Sequence, residues 1–339
     1  MTVFQAGTDG YHTFRIPALV LTRAGTLLAF AEGRHDSAGD SGHIDLVLKR
    51  SPDLGATWGP LEVVATEPAG GTAGNPAPVV TGDGRIVLVF VTNAATATEK
   101  RIRRGLDVRR VFVQDSADDG LSWSAAREIT ASVKDPAWGW YATTPGHAIQ
   151  LSDARIVVPG NHSAPPDHHD GGHALLSDDG GATWRLGYVD DGPSHVNEST
   201  AAELADGRVY VNARSDSPLP GTRADAYSAD GGQSLERPFL PQPDLVGPVV
   251  EGSVLAWDAD LLLYSGPADP AARRVMTIRA SRDAGQSWKP VHTVSQRPAA
   301  YSDLARLDDH TLGLLYETGE RGPYEQIAFE RIPLAELPV

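Results

Sequence analysis

SPDLGATW (residues 51–58) returns four more times, as SADDGLSW (116–123), SDDGGATW (177–184), SADGGQSL (228–235) and SRDAGQSW (281–288). The shared pattern is Ser-x-Asp-x-Gly-x-Thr/Ser-Trp, with Leu235 standing for tryptophan in the fourth copy. Each octet reads as a β-turn. Ser and Asp side chains bond turn amides, Gly takes a backbone conformation closed to other residues, and the aromatic plugs a sheet edge. Starts are 65, 61, 51 and 53 residues apart, which is the period of a repeated multi-stranded unit.

A second repeat is superposed on the first. Apolar runs follow a turn at RAGTLLAF, GDGRIVLVF, SDARIVVPG, ADGRVYVNA, DADLLLYSG and DDHTLGLLYE, with Gly25, Gly84, Ala154, Gly207, Asp260 and His310 in the turns. Six such units predict an all-β chain, a six-bladed β-propeller of four-stranded antiparallel sheets occupying residues 1–339 as one domain. A β-sandwich or β-helix accounts less well for this period. Before each turn the same register holds Arg15, Asn75, Pro145, Glu198, Glu251 and Tyr301; after it, Arg34, Asn93, Asn161, Arg214, Ser265 and Glu317. In antiparallel neighbours the start of one strand meets the end of the next. Both sets are therefore expected at one mouth of the central channel, a polar ring on apolar strands.

Composition narrows the function. The net charge of −15 opposes nucleic acid and anionic membranes as general partners. There is no cysteine, hence no disulfide and no thiol nucleophile. No apolar run reaches membrane-spanning length, and MTVFQAGTDG does not read as a secretory signal. A water-soluble protein is expected, its compartment and oligomeric state open.

Arginines in the ring of an acidic protein point to an anion at the axis. Arg15 and Arg214 come from the register, and a third is expected near AARRVMTIRAS in the fifth unit. Three guanidinium groups can grip a carboxylate by planar paired hydrogen bonds. Tyr301 beside Glu198 makes a nucleophile with a base to take its proton. A neutral nucleophile suits a reacting carbon that carries a carboxylate, because an anionic one would be repelled.

With FRIP (14–17), the five octets, NESTAAELADGRVYVNARS (197–215) and AYSDLARL…GLLYE, nearly the whole chain resembles the bacterial exo-sialidases (neuraminidases), retaining glycoside hydrolases with a tyrosine nucleophile. The resemblance implies an arginine triad of Arg15, Arg214 and Arg273, with Arg274 as the alternative third member. It implies Tyr301 as nucleophile, Glu198 as its base (Glu203 as fallback) and Glu317 as the group orienting Arg15. EGRHDSAGDSGHIDLVLKRS then supplies a fourth arginine, Arg34, and the acid/base Asp40, or else Asp36. The implied substrates are sialylated glycans or glycolipids, with no cofactor and no metal. Hydrolysis of a related nonulosonic acid such as Kdn, transfer to another sugar, and an inactive acidic-glycan binder are the alternatives.

Other features have plainer readings. Arg101, Arg103, Arg104, Arg109 and Arg110 read as a solvated loop. PPDHHDGGH (165–173) reads as a loop without metal-ligand spacing. Thr143 and Thr144 depart from the family's usual residues and are expected at the rim of the sugar pocket. Glu251 is left without a role.

Overall fold

The computed structural model describes residues 1–165, 169–215 and 221–339. Of PPDHHDGGH, residues 166–168 lie outside the described residues.

Six antiparallel blades surround one axis. Blade 1 runs outward through Thr13–Leu21, Leu27–Arg34, Ile44–Ser51 and Glu62–Ala65. Blade 2 holds Thr72–Val80, Ile86–Asn93, Arg110–Ser116 and Arg127–Glu128. The inner edge of blade 3 is split into Tyr141–Thr143 and Ile149–Gln150, followed by Ile156–Ala164, His169–Ser177 and Arg185–Asp190. Blade 4 is Val196–Glu203, Val209–Ser215, Thr222–Ser228 and Leu240–Val246. The long strand Lys289–Arg306 serves two blades, closing blade 5 against Arg274–Ser281 and opening blade 6 against Thr311–Thr318. Blade 6 finishes with Gln326–Pro333 and, from the other end of the chain, Thr2–Gln5. The ring therefore closes by pairing the first strand with the last, which leaves no blade with a missing edge.

Each blade buries both faces, so its strands alternate between two neighbours. Leu27 and Ala29 pack with Phe4, Leu315, Ile327 and Phe329 of blade 6. Leu28 and Phe30, one residue out of phase, pack with Ile86, Leu88 and Phe90 of blade 2. Four further apolar clusters fill the remaining blade interfaces in the same way.

The octets lock those interfaces. In the first, Ser51 Oγ donates to Asp53 and accepts from Gly55 N, while Asp53 accepts from Thr57 N and Oγ1. The other four copies repeat these bonds. Every box sits between the third and fourth strands of blades 1–5 and leans on the preceding blade. Trp58, Trp123, Trp184, Leu235 and Trp288 each join the cluster shared with that blade. Blade 6 has no box because its outer strand comes from the far end of the chain, so no hairpin exists there.

Two effects make the box glycine obligatory. Gly55 has φ of +86°, and a Cβ there would run into the Phe329 ring of blade 6. Gly207 shares the left-handed backbone, at φ of +83°, but faces open space. Gly207→Ala is therefore expected to cost about 1 kcal/mol, the backbone term alone. Gly55→Ala should cost about 2–4 kcal/mol, because overpacking adds about 1–3 kcal/mol. Denaturant unfolding of the two variants checks this; equal losses would remove the packing argument.

Candidate active site

The inner strands do not run straight through the axis. Pairing with the second strand slips between Arg15 and Ala18, Gly74 and Ala77, Val196 and Ser199, and Ala299 and Ser302. At two of these bulges the backbone turns left-handed, at Ile16 (φ 62°) and Asn75 (φ 54°). Both precede proline, which disfavours the helical region and removes a donor. The amides released from the ladder need acceptors inside the protein, and buried carboxylates supply them. Glu317 accepts from Ile16 N, Tyr301 N and Arg15 Nε at 2.9, 3.2 and 2.7 Å. Glu32 accepts from Asn75 N at 2.9 Å and from Arg34 Nη2 at 2.6 Å. Asp303 accepts from Leu19 N and His147 N, and Glu251 from Ser302 N.

On this framework one mouth of the channel opens into a cavity of about 360 Å³. Arg15, Arg34, Asp40, Glu198, Arg214, Arg273 and Tyr301 all line it. Glu317 sits behind them, fully buried. Tyr301 Oη donates to Glu198 Oε1 at 2.5 Å, and Arg214 Nη1 lies 3.0 Å from Glu198 Oε2 and 3.4 Å from Tyr301 Oη. Arg15 lies over the Tyr324 ring, its Cζ 4.0 Å from the centroid, and 5.0 Å from that of Tyr301. Arg273 Nη1 donates to Tyr324 Oη at 2.7 Å. Arg34 Nη1 holds Asp40 Oδ1 at 2.7 Å, and Arg15 Nη1 is 3.9 Å from the same oxygen.

The alternatives fall elsewhere. Glu203 bonds Ser152 and lines a second cavity, of about 540 Å³, formed by the far ends of all six inner strands. Arg274 is half exposed and faces Asp269, and Asp36, exposed like Asp40, does not line the cavity.

Two expectations are corrected. The arginine run is not uniformly a solvated loop: Arg103 and Arg109 both line the cavity, and Arg109 is only 3% exposed. Arg109 follows a short helical turn, Glu99–Arg103, and folds back so that its guanidinium lies 4.1 Å from the Trp140 ring centroid and donates to Asn93 and the Tyr141 carbonyl. Thr143 and Thr144 do not form a rim. Both are fully buried, their hydroxyls spent on the carbonyls of Asn75 and Ser199. Glu32, Trp140, Asn197 and Tyr324 also line it, unannounced. Of these only Glu32 carried a signal: it lies two residues before Arg34 and so on the same strand face.

Electrostatics follow from burial and neighbours. Burial first, and then Glu198, pushes the Tyr301 hydroxyl well above its ordinary value, against the pull of Arg214 and Arg15. The phenol is therefore protonated at rest, with an acceptor in contact. Partial desolvation would raise Asp40, whose side chain is still 70% exposed, but Arg34 and then Arg15 outweigh it and hold its carboxyl below the usual range. Burial lowers the Arg109 guanidinium to about 10. It also pushes the Glu251 carboxyl well up. The site is a cationic cup around a tyrosine–glutamate pair, with a carboxylate at its open side.

Residues 25–316 match the family described as BNR repeat-like domain. An exo-alpha-sialidase of Aspergillus fumigatus is 30% identical, over 91% of this chain and 79% of its own length. A sialidase of Micromonospora viridifaciens is 35% identical over 92% of this chain, but the chain spans only 51% of that relative. Among solved structures, the Hadza microbial sialidase Hz136 superposes with a TM-score of 0.87 at 28% identity, covering 99% of this chain and 68% of the other.

Glu317 is the group to perturb. Its removal strands the Arg15 charge and two amides, so Glu317→Ala should lower stability by about 3–5 kcal/mol. Glu317→Gln, which keeps an acceptor oxygen, should cost less. Unfolding free energies decide; a loss within about 0.5 kcal/mol, typical of surface sites, would show that Glu317 does not carry the axis.

Proposed function

The chain belongs to the sialidase family, and from that premise we propose that it is an exo-α-sialidase. It releases terminal α-linked sialic acid from glycans or glycolipids, with retained configuration, and residues 1–339 act as one catalytic unit. The observation that carries this reading is the short Tyr301–Glu198 hydrogen bond inside a ring of arginines.

Arg15, Arg214 and Arg273 hold the sugar carboxylate, and Arg34 keeps Asp40 at the open side. In the first step Tyr301 Oη bonds to the anomeric carbon and passes its proton to Glu198. The glycosidic bond breaks, its electron pair stays on the leaving oxygen, and that oxygen takes the proton of Asp40. In the second step Asp40, now a carboxylate, takes a proton from water as the water oxygen bonds to the anomeric carbon. The bond to Tyr301 breaks, and the phenol recovers its proton from Glu198. Among the described residues no helix is long and apolar enough to cross a membrane.

An aryl α-sialoside assay tests the activity: release of the aryl alcohol is expected, with ordinary turnover lost in Tyr301→Phe. No release from any nonulosonic acid glycoside would overturn the reading. Binding that survives Tyr301→Phe but not Arg15→Ala, without turnover in the unmodified chain, would favour the glycan binder instead. A panel of N-acetyl, N-glycolyl and 5-hydroxy substrates resolves the C5 preference.

The role of Asp40 has its own signature. Loss of the acid should cost alkyl leaving groups about 10²–10⁴-fold in Asp40→Asn. Aryl leaving groups, which need little protonation, should lose far less in the first step. The pH dependence follows from the sign of the shift. The proton on Asp40 is lost as pH rises through a lowered pKa, so kcat/KM for alkyl sialosides should fall with pH over about pH 5–8, since it reports the free enzyme. Bound substrate carboxylate offsets the Arg15 charge, so the corresponding limb of kcat should sit at higher pH. Coincident limbs, or a kcat/KM that rises across that range, would remove Asp40 from the role.

A further inference from the structure

The hairpin that carries Asp40 has a second feature at its base. Leu27–Arg34 and Ile44–Ser51 pair antiparallel, with Gly33 opposite Asp45 and Arg34 opposite Ile44. His35 N donates to the His43 carbonyl at 3.1 Å and extends the ladder by one pair. Side chains alternate along a strand. His43 and Asp45 therefore share one face, and His35 joins them from the neighbouring strand. Two donors two apart on one strand, with a third across from them, is an arrangement that can converge on one ion.

We propose that His35, His43 and Asp45 form a site for a divalent metal of the zinc class, and that the metal pins the base of the Asp40 hairpin. Their ligand atoms all lie within 4.8 Å of one another. His35 Nε2 is 2.9 Å from Asp45 Oδ2, and His43 Nε2 is 3.7 Å from Asp45 Oδ1. Metal–ligand bonds of about 2.0–2.2 Å in a tetrahedron put ligand atoms roughly 3.3–3.6 Å apart, which falls between these two spacings.

The independent observation is Asp45 itself. It is only 5% exposed, yet its Oδ1 makes no hydrogen bond of good geometry; beyond Tyr11 and His35 on Oδ2, the Thr66 side chain is the remaining group that bonds to the carboxylate. A buried carboxylate oxygen so weakly satisfied is costly. It faces His43 across a gap too long for a hydrogen bond. The outer shell is also in place: Tyr11 Oη donates to Asp45 Oδ2 at 2.9 Å, and the absent side chain at Gly33 leaves room for the Tyr11 ring.

The donor set selects the ion. Two imidazoles and one carboxylate suit zinc, nickel or copper; calcium asks for six to eight oxygens. One step of rearrangement is needed. The two imidazoles stack at 3.7 Å between centroids and 16° between planes, and parallel rings cannot aim in-plane lone pairs at one ion. The side chain of His43 is 40% exposed, so its ring is free to swing outward on the solvent side. Binding would then cross-link the two ends of the 36–42 segment, which one backbone hydrogen bond now closes. Nothing in this argument depends on the sialidase reading.

The test uses the full chain after treatment with EDTA. Calorimetric titration with zinc chloride, and elemental analysis after gel filtration, should give one equivalent of zinc. Zinc should also slow hydrogen exchange across residues 36–43. Tyr11→Phe should weaken binding about 10–100-fold, as loss of an outer-shell partner does. Both half-exposed histidines can be replaced without emptying the core, so the double variant His35→Ala/His43→Ala should fold, bind no equivalent and show no zinc effect on exchange. No stoichiometric binding of zinc, nickel or copper, or binding that survives the double variant, would overturn the site. Binding that leaves exchange of the hairpin unchanged would overturn the pinning.

Discussion

Glu317 ties together what the chain keeps far apart. It accepts from Arg15 and Ile16 in the first blade and from Tyr301 in the last, residues separated by about three hundred positions. One buried carboxylate thus compensates the arginine's charge, caps a bulged amide and fixes the peptide that carries the tyrosine. Bulges at the axis force this solution. A propeller bends its inner strands where six of them crowd together, and each bend releases amides that water cannot reach. Glu32, Glu251 and Asp303 meet the same need elsewhere around the ring.

Those carboxylates also let an acidic protein present a cationic cavity. The chain carries −15 overall, but Glu317 lies buried behind the arginines and Glu32 is held against Arg34, so guanidinium groups dominate a lining that Glu198 and Asp40 share. Glu317 occupies Nε of Arg15, and Glu32 occupies Nε and Nη2 of Arg34. The compensating charges orient the guanidinium groups as well as neutralising them. Two like charges about 4 Å apart repel by about 4 kcal/mol at an effective dielectric of 20. A carboxylate nucleophile facing a substrate carboxylate would forfeit that energy, nearly three powers of ten in rate. A buried phenol hydrogen-bonded to a carboxylate set one shell back avoids the clash and keeps a base in contact.

How much of this the sequence disclosed depends on whether a residue's neighbours repeat. The boxes were legible because one turn chemistry recurs with the same Ser, Asp and Gly. Arg15, Glu198, Arg214, Tyr301 and Glu317 were legible because strand register forces them to one mouth. Arg109 was not, because it stands in a run whose other members include exposed residues, and nothing local marks which arginine folds inward. Tyr324 and Trp140 reach the cavity from loops or strand margins outside any repeat. Thr143 and Thr144 read as rim residues because they depart from the residues usual in the family there; their hydroxyls instead satisfy carbonyls at the axis. His35 and His43 passed unremarked, since their pairing exists only once the two strands are laid side by side.

The two repeats therefore do different physical work. Each box contributes a glycine under the preceding blade and an apolar plug at the same interface, far along the blade from the axis. That work needs shape and apolarity rather than a particular chemistry. This is why Leu235 can stand where the other boxes have tryptophan and still join the cluster between blades 3 and 4. The axial positions have no such latitude, because each must match a specific donor or acceptor held by another blade. A propeller built this way divides its constraints: the outer repeat tolerates drift so long as the wedge is filled, and the inner ring is fixed by hydrogen-bond accounting. The hairpin bearing Asp40 belongs to neither set. It projects from blade 1, held at its tip by Arg34 and at its base by His35 and His43. Its position is thus the part of the site that the propeller itself constrains least.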